Sequence, residues 1–171
     1  MISVFLSKLL TSRQASFTEE NINIFDLLFV MQPVESLVEL QREIEKSKKR
    51  SKVIINFGRK ISELILKHFK TRFGMEKEEL KSIWLNMFSL SGFGKLEVVK
   101  ISSNSATFRI DSSTIAKIYL RRYGKQKKSV CSIISGMLES YVEEITGKLA
   151  KCRELNCLAK GEKYCIFEVS F

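Results

Sequence analysis

All four cysteines of this 171-residue chain lie between residue 131 and the C-terminus. They are Cys131, Cys152, Cys157 and Cys165. A predicted helix begins near Cys131, and a predicted hairpin around Gly161 carries Cys157 and Cys165 on its two arms. A helix start, a strand end and a hairpin can converge on one point, as a tetrahedral metal ion requires. The spacing therefore predicts a metal site that ties the last third of the chain together.

The spacing alone leaves the fourth ligand of this site open. Glu154 lies three residues before Cys157, and Cys152 lies two residues before Glu154. Residues two apart on a strand share a face, so either side chain can complete the site. Chemistry alone favours four thiolates, and four merely buried thiols are the alternative without a metal. No C-x-x-C pair is present, so a generic zinc ribbon is not indicated.

The sequence around these residues resembles the V4R (4-vinyl reductase) family and the sensor domains of phenol- and xylene-responsive bacterial regulators. Three parts carry the resemblance: Cys131–Leu138 (CSIISGML), Gly147, and Glu154–Phe167 (ELNCLAKGEKYCIF). The resemblance is clear over residues 95–171 and extends, as helices only, back to about residue 34. Several residue types and spacings agree together, which makes the motif specific.

The resemblance implies a structural zinc ion, Zn²⁺, and selects its fourth ligand. The ligands that it implies are Cys131, Glu154, Cys157 and Cys165, which leaves Cys152 as a packing residue. Three thiolates and one carboxylate around a divalent cation give a formal charge of about −2, and four protein ligands leave no position for an activated water. We therefore expect this zinc to hold the fold together and to have no catalytic role.

No catalytic or redox-cofactor motif is visible in the chain. His68 is the single histidine, so a histidine-based catalytic or metal site is not indicated. No Gly-x-Gly-x-x-Gly motif occurs, and Gly92-Phe93-Gly94-Lys95 lacks the remainder of a phosphate-binding loop. We therefore expect a protein that is not an enzyme, despite the reductase in the family name.

The hydrophobic pattern predicts an α+β fold with helices packed on one face of an antiparallel sheet. The resemblance implies that the sheet is twisted, in the fold shared by nitric-oxide-sensing haem domains and a Golgi transport-tethering subunit. Residues 1–33 are expected to be an N-terminal elaboration and residues 34–171 a V4R-like domain, with its zinc-binding core motif at 131–167. The predicted helices are 34–46, 52–73, 76–90 and 130–146, the last capped by Ser129; the predicted strands are one within 22–31, then 96–101, 106–110, 115–120 (or a short helix), 148–158 and 164–171.

The second and third of these helices are rich in aromatic and methionine side chains. We interpret five residues as candidates to line an apolar ligand cavity, with ordinary core filling as the alternative: Phe57, Trp84, Met87, Phe88 and Phe93. The resemblance supports a cavity, because the family's sensor domains bind aromatic hydrocarbons in this region. No pocket residue belongs to the shared motif, so the resemblance transfers none of the five.

The function expected from these observations is a stand-alone sensory or carrier module for a small apolar or aromatic molecule. The alternatives are a dimeric protein-interaction adaptor without a ligand, and an accessory factor or reductase in tetrapyrrole metabolism. The resemblance implies a homodimer, for which the helices within residues 34–73 offer apolar surface.

Charge and hydropathy bear on the remaining partners. The net charge of +10 comes from 29 basic and 19 acidic residues spread along the chain, which indicates a solvated surface more than a nucleic-acid site. No apolar run is long enough to span a bilayer, and no signal peptide is predicted. With four thiols better suited to metal than to disulfides, we expect a cytoplasmic protein.

Overall fold

The computed structural model describes residues 4–46 and 50–171 and divides the chain into two units, Met1–Pro33 and Val34–Phe171. The first unit contains helix α1 (Val4–Thr11) and three antiparallel strands in the order β1 (Ala15–Phe17), β2 (Ile22–Ile24), β3 (Leu27–Phe29). The single strand predicted within residues 22–31 is wrong, because the chain reverses at Phe25 and Asp26. Both residues have positive φ, 53° and 63°, and they separate two short strands.

Within residues 34–46 and 50–171, the second unit has five α-helices: α2 (Val34–Lys46), α3 (Arg50–Phe73), α4 (Lys77–Leu90), α5 (Thr114–Tyr123) and α6 (Ser132–Thr146). The predictions of α2, α3, α4 and α6 are confirmed to within about two residues. The Glu79 carboxylate accepts a hydrogen bond from the Glu76 amide at 3.1 Å in a capping box, which explains where α4 begins. Cys131, and not the predicted Ser129, is the N-cap of α6, and Gly147 ends that helix with a φ of 73°. Among the described residues no helix is long and apolar enough to cross a membrane.

The sheet of the second unit has four antiparallel strands in the order β4-β5-β7-β6. They are β4 (Leu96–Ile101), β5 (Ser105–Ile110), β6 (Lys151–Asn156) and β7 (Cys165–Ser170). The segment 115–120, predicted first as a strand, is helical and lies in α5, as the alternative prediction had it. The Ser113 hydroxyl accepts the Ala116 amide at 3.3 Å, and this N-cap starts α5.

The helices that contact this sheet pack on one of its faces. Alternate residues of β5 and β7 are buried, and α6 contacts β6 and β7 while α4 contacts β4. Helix α3 packs along α6 and forms an outer layer. The opposite face of the sheet is polar, with Arg109 paired to Glu97 at 2.8 Å. The predicted α+β architecture is confirmed.

Two glycines allow α3 and α6 to cross with their backbones in contact. A Cβ atom placed on Gly58 would lie 2.0 Å from the carbonyl oxygen of Ile133, and one placed on Gly136 would lie 2.0 Å from that of Ile55. Any side chain at either position would overlap the backbone of the other helix. This crossing brings the first turn of α6, where Cys131 is the cap, against the outer helix.

A partly buried ion-pair network joins the same two helices to the start of β6. Arg59 on α3 donates to Glu139 on α6 at 2.9 Å and also pairs with Glu143. The Glu139 carboxylate in turn accepts the Cys152 amide at 3.0 Å, and Glu143 accepts the Ala150 amide at 2.9 Å. The network thereby fixes the register between α6 and β6, which carries Glu154.

Candidate metal centre and apolar cavity

Cys131, Glu154, Cys157 and Cys165 meet at one end of the sheet. Cys131 caps α6, Glu154 lies on β6, Cys157 follows β6, and Cys165 begins β7. The pairing of β6 with β7 shifts in register between Glu154 and Asn156, near the point where the site forms. The potential ligand atoms of the four residues all lie within 4.8 Å of one another.

This geometry suits a tetrahedral metal ion. The Sγ atoms of Cys131 and Cys165 are 3.9 Å apart. A tetrahedral ion with metal–sulfur bonds of about 2.3 Å separates two sulfur ligands by about 3.8 Å. Oε2 of Glu154 accepts the Cys131 amide at 2.9 Å, whereas the buried Oε1 has no hydrogen-bond partner among the described residues. The cluster can therefore hold a metal ion, with Oε1 as the free carboxylate oxygen.

Two neighbouring groups support the sulfur atoms. The Leu158 amide donates to Sγ of Cys165 at 3.4 Å, from a 3₁₀ turn at Leu158–Lys160 that ends at Gly161 with a φ of 89°. The Ser113 hydroxyl lies 3.4 Å from Sγ of Cys131. Such groups orient metal ligands and tune their basicity. Sequence reasoning missed Ser113, because only the tertiary fold brings the N-cap of α5 next to Cys131.

Proton affinities within the cluster differ strongly. Burial raises the pKa of Cys131 well above its ordinary value. Burial, and then the charge of Cys157, raises the pKa of Glu154 to about 8. Hydrogen bonds from the thiols of Cys131 and Cys165 lower the pKa of Cys157. For Cys165 the hydrogen bond with Cys131 lowers the pKa, but the bond with Cys157 and burial outweigh it, so the pKa rises. The cluster thus favours the ionised form of Cys157, because the neighbouring thiols donate hydrogen bonds to it.

Cys152 lies outside the cluster. It pairs with Val169 in the sheet, four residues along β7 from Cys165, which corresponds to about 13 Å of strand. Burial raises the pKa of its thiol to about 12, so it is a neutral side chain in the interior. The structure places Cys152 as the resemblance implied.

The five residues predicted to line a ligand cavity do not lie together. Trp84, Met87, Phe88 and Phe93 are buried, and the rings of Trp84 and Phe88 are 5.4 Å apart. Phe57 is 43% exposed and lines a separate depression of about 120 Å³ between α2 and α3. The assignment of these residues to a ligand site stays a prediction.

A different apolar cavity, of about 300 Å³, lies between the sheet and helices α4 and α6. Val98 from β4, Ala106 and Phe108 from β5, and Tyr141 and Ile145 from α6 are among its lining residues. The helical spacing of Tyr141 and Ile145 predicts a core position for both, and neither was identified as a cavity residue. Nothing in the sequence around Ala106 marks a cavity, because it stands between Ser105 and Thr107 and its partners across the layer are set by tertiary packing.

Comparisons with known proteins agree with this architecture. Residues 110–171 match the family model of the V4R domain. The chain is similar to the phenol-responsive sensory domain of the transcription activator PoxR, solved with phenol, at 15% identity and a TM-score of 0.80, covering 99% of this chain and 91% of that one. It is also similar to a vinyl-4-reductase family protein from Methanocaldococcus jannaschii, at 18% identity and a TM-score of 0.59, with 83% of each chain covered.

A third similar structure is a trafficking protein particle complex subunit 3 from Naegleria fowleri, covalently bound to palmitic acid. It is 13% identical with a TM-score of 0.56, covering 80% of this chain and 93% of that chain. No curated protein sequence matches the chain. The predicted resemblance to the V4R family is confirmed, and the solved structures show the shared fold.

Proposed function

We propose that this chain is a sensory or carrier domain that binds a small apolar molecule and is stabilised by a zinc ion. The observation that carries the proposal is the cavity of about 300 Å³ between the sheet and helices α4 and α6. Its size and apolar lining are those of a small-molecule site, at the lower end of the usual range. Phenol in the structure of the PoxR sensory domain supports the same reading.

A filling variant tests the cavity. Ala106→Phe places a ring in the cavity, whereas Thr107→Phe introduces the same ring one residue away, on the opposite face of β5. With cumene as an apolar probe, titration calorimetry is expected to show saturable binding to the wild type and to Thr107→Phe, and none to Ala106→Phe. Equal binding by all three proteins would place the probe elsewhere and defeat the proposal.

The zinc part of the proposal rests on the donor set. Three buried sulfur atoms and one carboxylate oxygen within 4.8 Å suit Zn²⁺, and four protein ligands give a closed site with a structural role. Cys157→Ser is expected to lose the metal and much of the stability, since metal binding and folding are coupled. Cys152→Ser is the matched control, because Cys152 lies outside the cluster. Native mass spectrometry reports zinc content and subunit number together, and a zinc-free wild type would refute this part.

One observation favours the adaptor function as a second candidate. Leu40, Val53 and Phe57 on α2 and α3 are exposed by 51%, 47% and 43% and form an apolar surface that a second copy of the chain can cover. Sedimentation of the wild type is expected to show a dimer that Phe57→Glu dissociates. A monomeric wild type would remove the support for this candidate.

A further inference from the structure

Tyr141 holds a fixed position in the wall of the sheet–helix cavity. The residue is 6% exposed, and its ring stacks on Trp84 with centroids 4.2 Å apart and planes at 15°. Trp84 is itself fixed, because its Nε1 donates to the Ser62 hydroxyl at 2.9 Å and Ser62 donates to the carbonyl of Met137 at 2.8 Å. The Phe108 ring contacts Tyr141 edge-on at 6.2 Å. The tyrosine ring is therefore clamped on two sides.

The hydroxyl of Tyr141 has no hydrogen-bond partner within residues 4–46 and 50–171. The other two hydroxyls of the lining are satisfied, since Ser102 donates to Ser105 at 3.0 Å and Thr146 to Val142 at 2.7 Å. Burial raises the pKa of Tyr141 to about 12, so its phenol group is neutral and keeps its proton. The oxygen is not among the fully buried unpartnered atoms, so it is accessible from the cavity, and a neutral phenol group without a protein acceptor can donate its proton to a bound molecule.

Charges at the cavity offer little to an ionised ligand. Lys81 contributes to the lining but is already paired with Glu78 at 2.5 Å. After burial, the negative charge of Glu78 also raises the pKa of Tyr141, so the field at the hydroxyl disfavours a further negative charge. A neutral oxygen can accept the Tyr141 proton without this repulsion.

We propose that the ligand is a small neutral molecule with an apolar body and one hydrogen-bond-accepting oxygen, which receives the hydrogen bond of Tyr141. This inference rests on the proposed function, because it names the class of molecule that fills the same cavity. A volume of about 300 Å³ accommodates about ten non-hydrogen atoms, at roughly 30 Å³ for each. A ketone, ester or ether on a single ring has this size.

Two probes of equal size separate the oxygen from the apolar body. Acetophenone carries a carbonyl, and cumene replaces it with carbon. Tyr141→Phe removes only the hydroxyl, and Tyr164→Phe is the matched control, because it removes the same group from a tyrosine that does not line the cavity. We expect Tyr141→Phe to raise the Kd of acetophenone about 5- to 10-fold and that of cumene less than about 2-fold. Tyr164→Phe is expected to change neither value.

The outcomes distinguish this inference from the proposed function. If both probes bind the wild type but Tyr141→Phe affects them equally, the inference is overturned and the cavity function stands. If neither probe binds, both are overturned. Benzoate binding more tightly than acetophenone would overturn the neutral ligand class. Infrared spectroscopy supplies a test without a variant. The carbonyl stretch of acetophenone bound to the wild type is expected at a lower frequency than that of acetophenone in cyclohexane, and an unshifted band refutes the hydrogen bond.

Discussion

Replacing Gly58 by alanine tests whether α3 and α6 depend on backbone contact. In an isolated helix this change stabilises by about 1 kcal/mol, because glycine is a poor helix former. Here the new Cβ would lie 2.0 Å from the carbonyl oxygen of Ile133. An ordinary contact needs about 3.4 Å, so the two helices must separate by about 1.4 Å at this crossing.

The size of the effect follows from which atoms collide. Overpacking a core costs about 1–3 kcal/mol when side chains can move, and occasionally more. At Gly58 the obstacle is backbone within a helix, which cannot rotate away, so we expect the upper end of that range. After the helix preference is subtracted, the expected net loss is about 2 kcal/mol, which for a chain of this size lowers the Tm by roughly 4–8 °C.

Thermal and urea unfolding measure the change. Asn56→Ala, on the exposed side of α3, is the matched control and should be neutral or slightly stabilising. Gly136→Ala should cost as much as Gly58→Ala, because its Cβ would lie 2.0 Å from the carbonyl oxygen of Ile55. The double variant should cost less than the two single losses together, since one separation accommodates both methyl groups. A Gly58→Ala protein as stable as the wild type would refute the reasoning.

Three further predictions concern the metal and the ion pairs. Below pH 8 the zinc affinity should rise by about three log units per pH unit, because binding displaces protons from Glu154 and from the thiols of Cys131 and Cys165; above pH 8 the slope should fall to about two. Competition with a chelator measures this slope, and a slope near zero would contradict the pKa order. Metal removal should lower the Tm more at pH 8 than at pH 6. The raised pKa of Glu154 stabilises the metal-free fold at low pH, and this stability is lost as the pH rises towards and through about 8. An equal fall in Tm at pH 6 and pH 8 would count against this prediction. Arg59→Leu should cost about 2–4 kcal/mol in urea unfolding, because it removes the closer cation of the buried Glu139 and leaves only Lys151, at 3.9 Å. Adding Glu139→Gln should restore part of that loss, and a double variant no more stable than the single one would oppose this account.

The sequence determined the elements that depend on local pattern. The apolar spacing and the residues that end helices, such as Gly147, predicted four of the helices in the larger unit. Local pattern was insufficient at residues 115–120, because a short apolar run fits a strand and a helix equally. The cap at Ser113 decides for α5, and its role depends on the turn that precedes the helix.

The candidate metal centre divides in the same way. The cysteine spacing by itself indicated a site, and the family resemblance chose Glu154 as the fourth ligand. Alternation on a strand could not separate Glu154 from Cys152, since both face one side of β6. Their positions along the strand differ, however, and the pairing of β6 with β7 puts only Glu154 within reach of Cys165.

The cavity and the close crossing of α3 and α6 were decided only by tertiary structure. In the sequence Tyr141 is an ordinary core residue and Ala106 an ordinary strand residue, and the space beside them is set by how α6 packs over the sheet. Gly58 and Gly136 lie far apart in the chain, and their need to be glycine appears only where two backbones meet. Local chemistry sets which elements form, whereas the gaps and contacts between them depend on how whole elements pack.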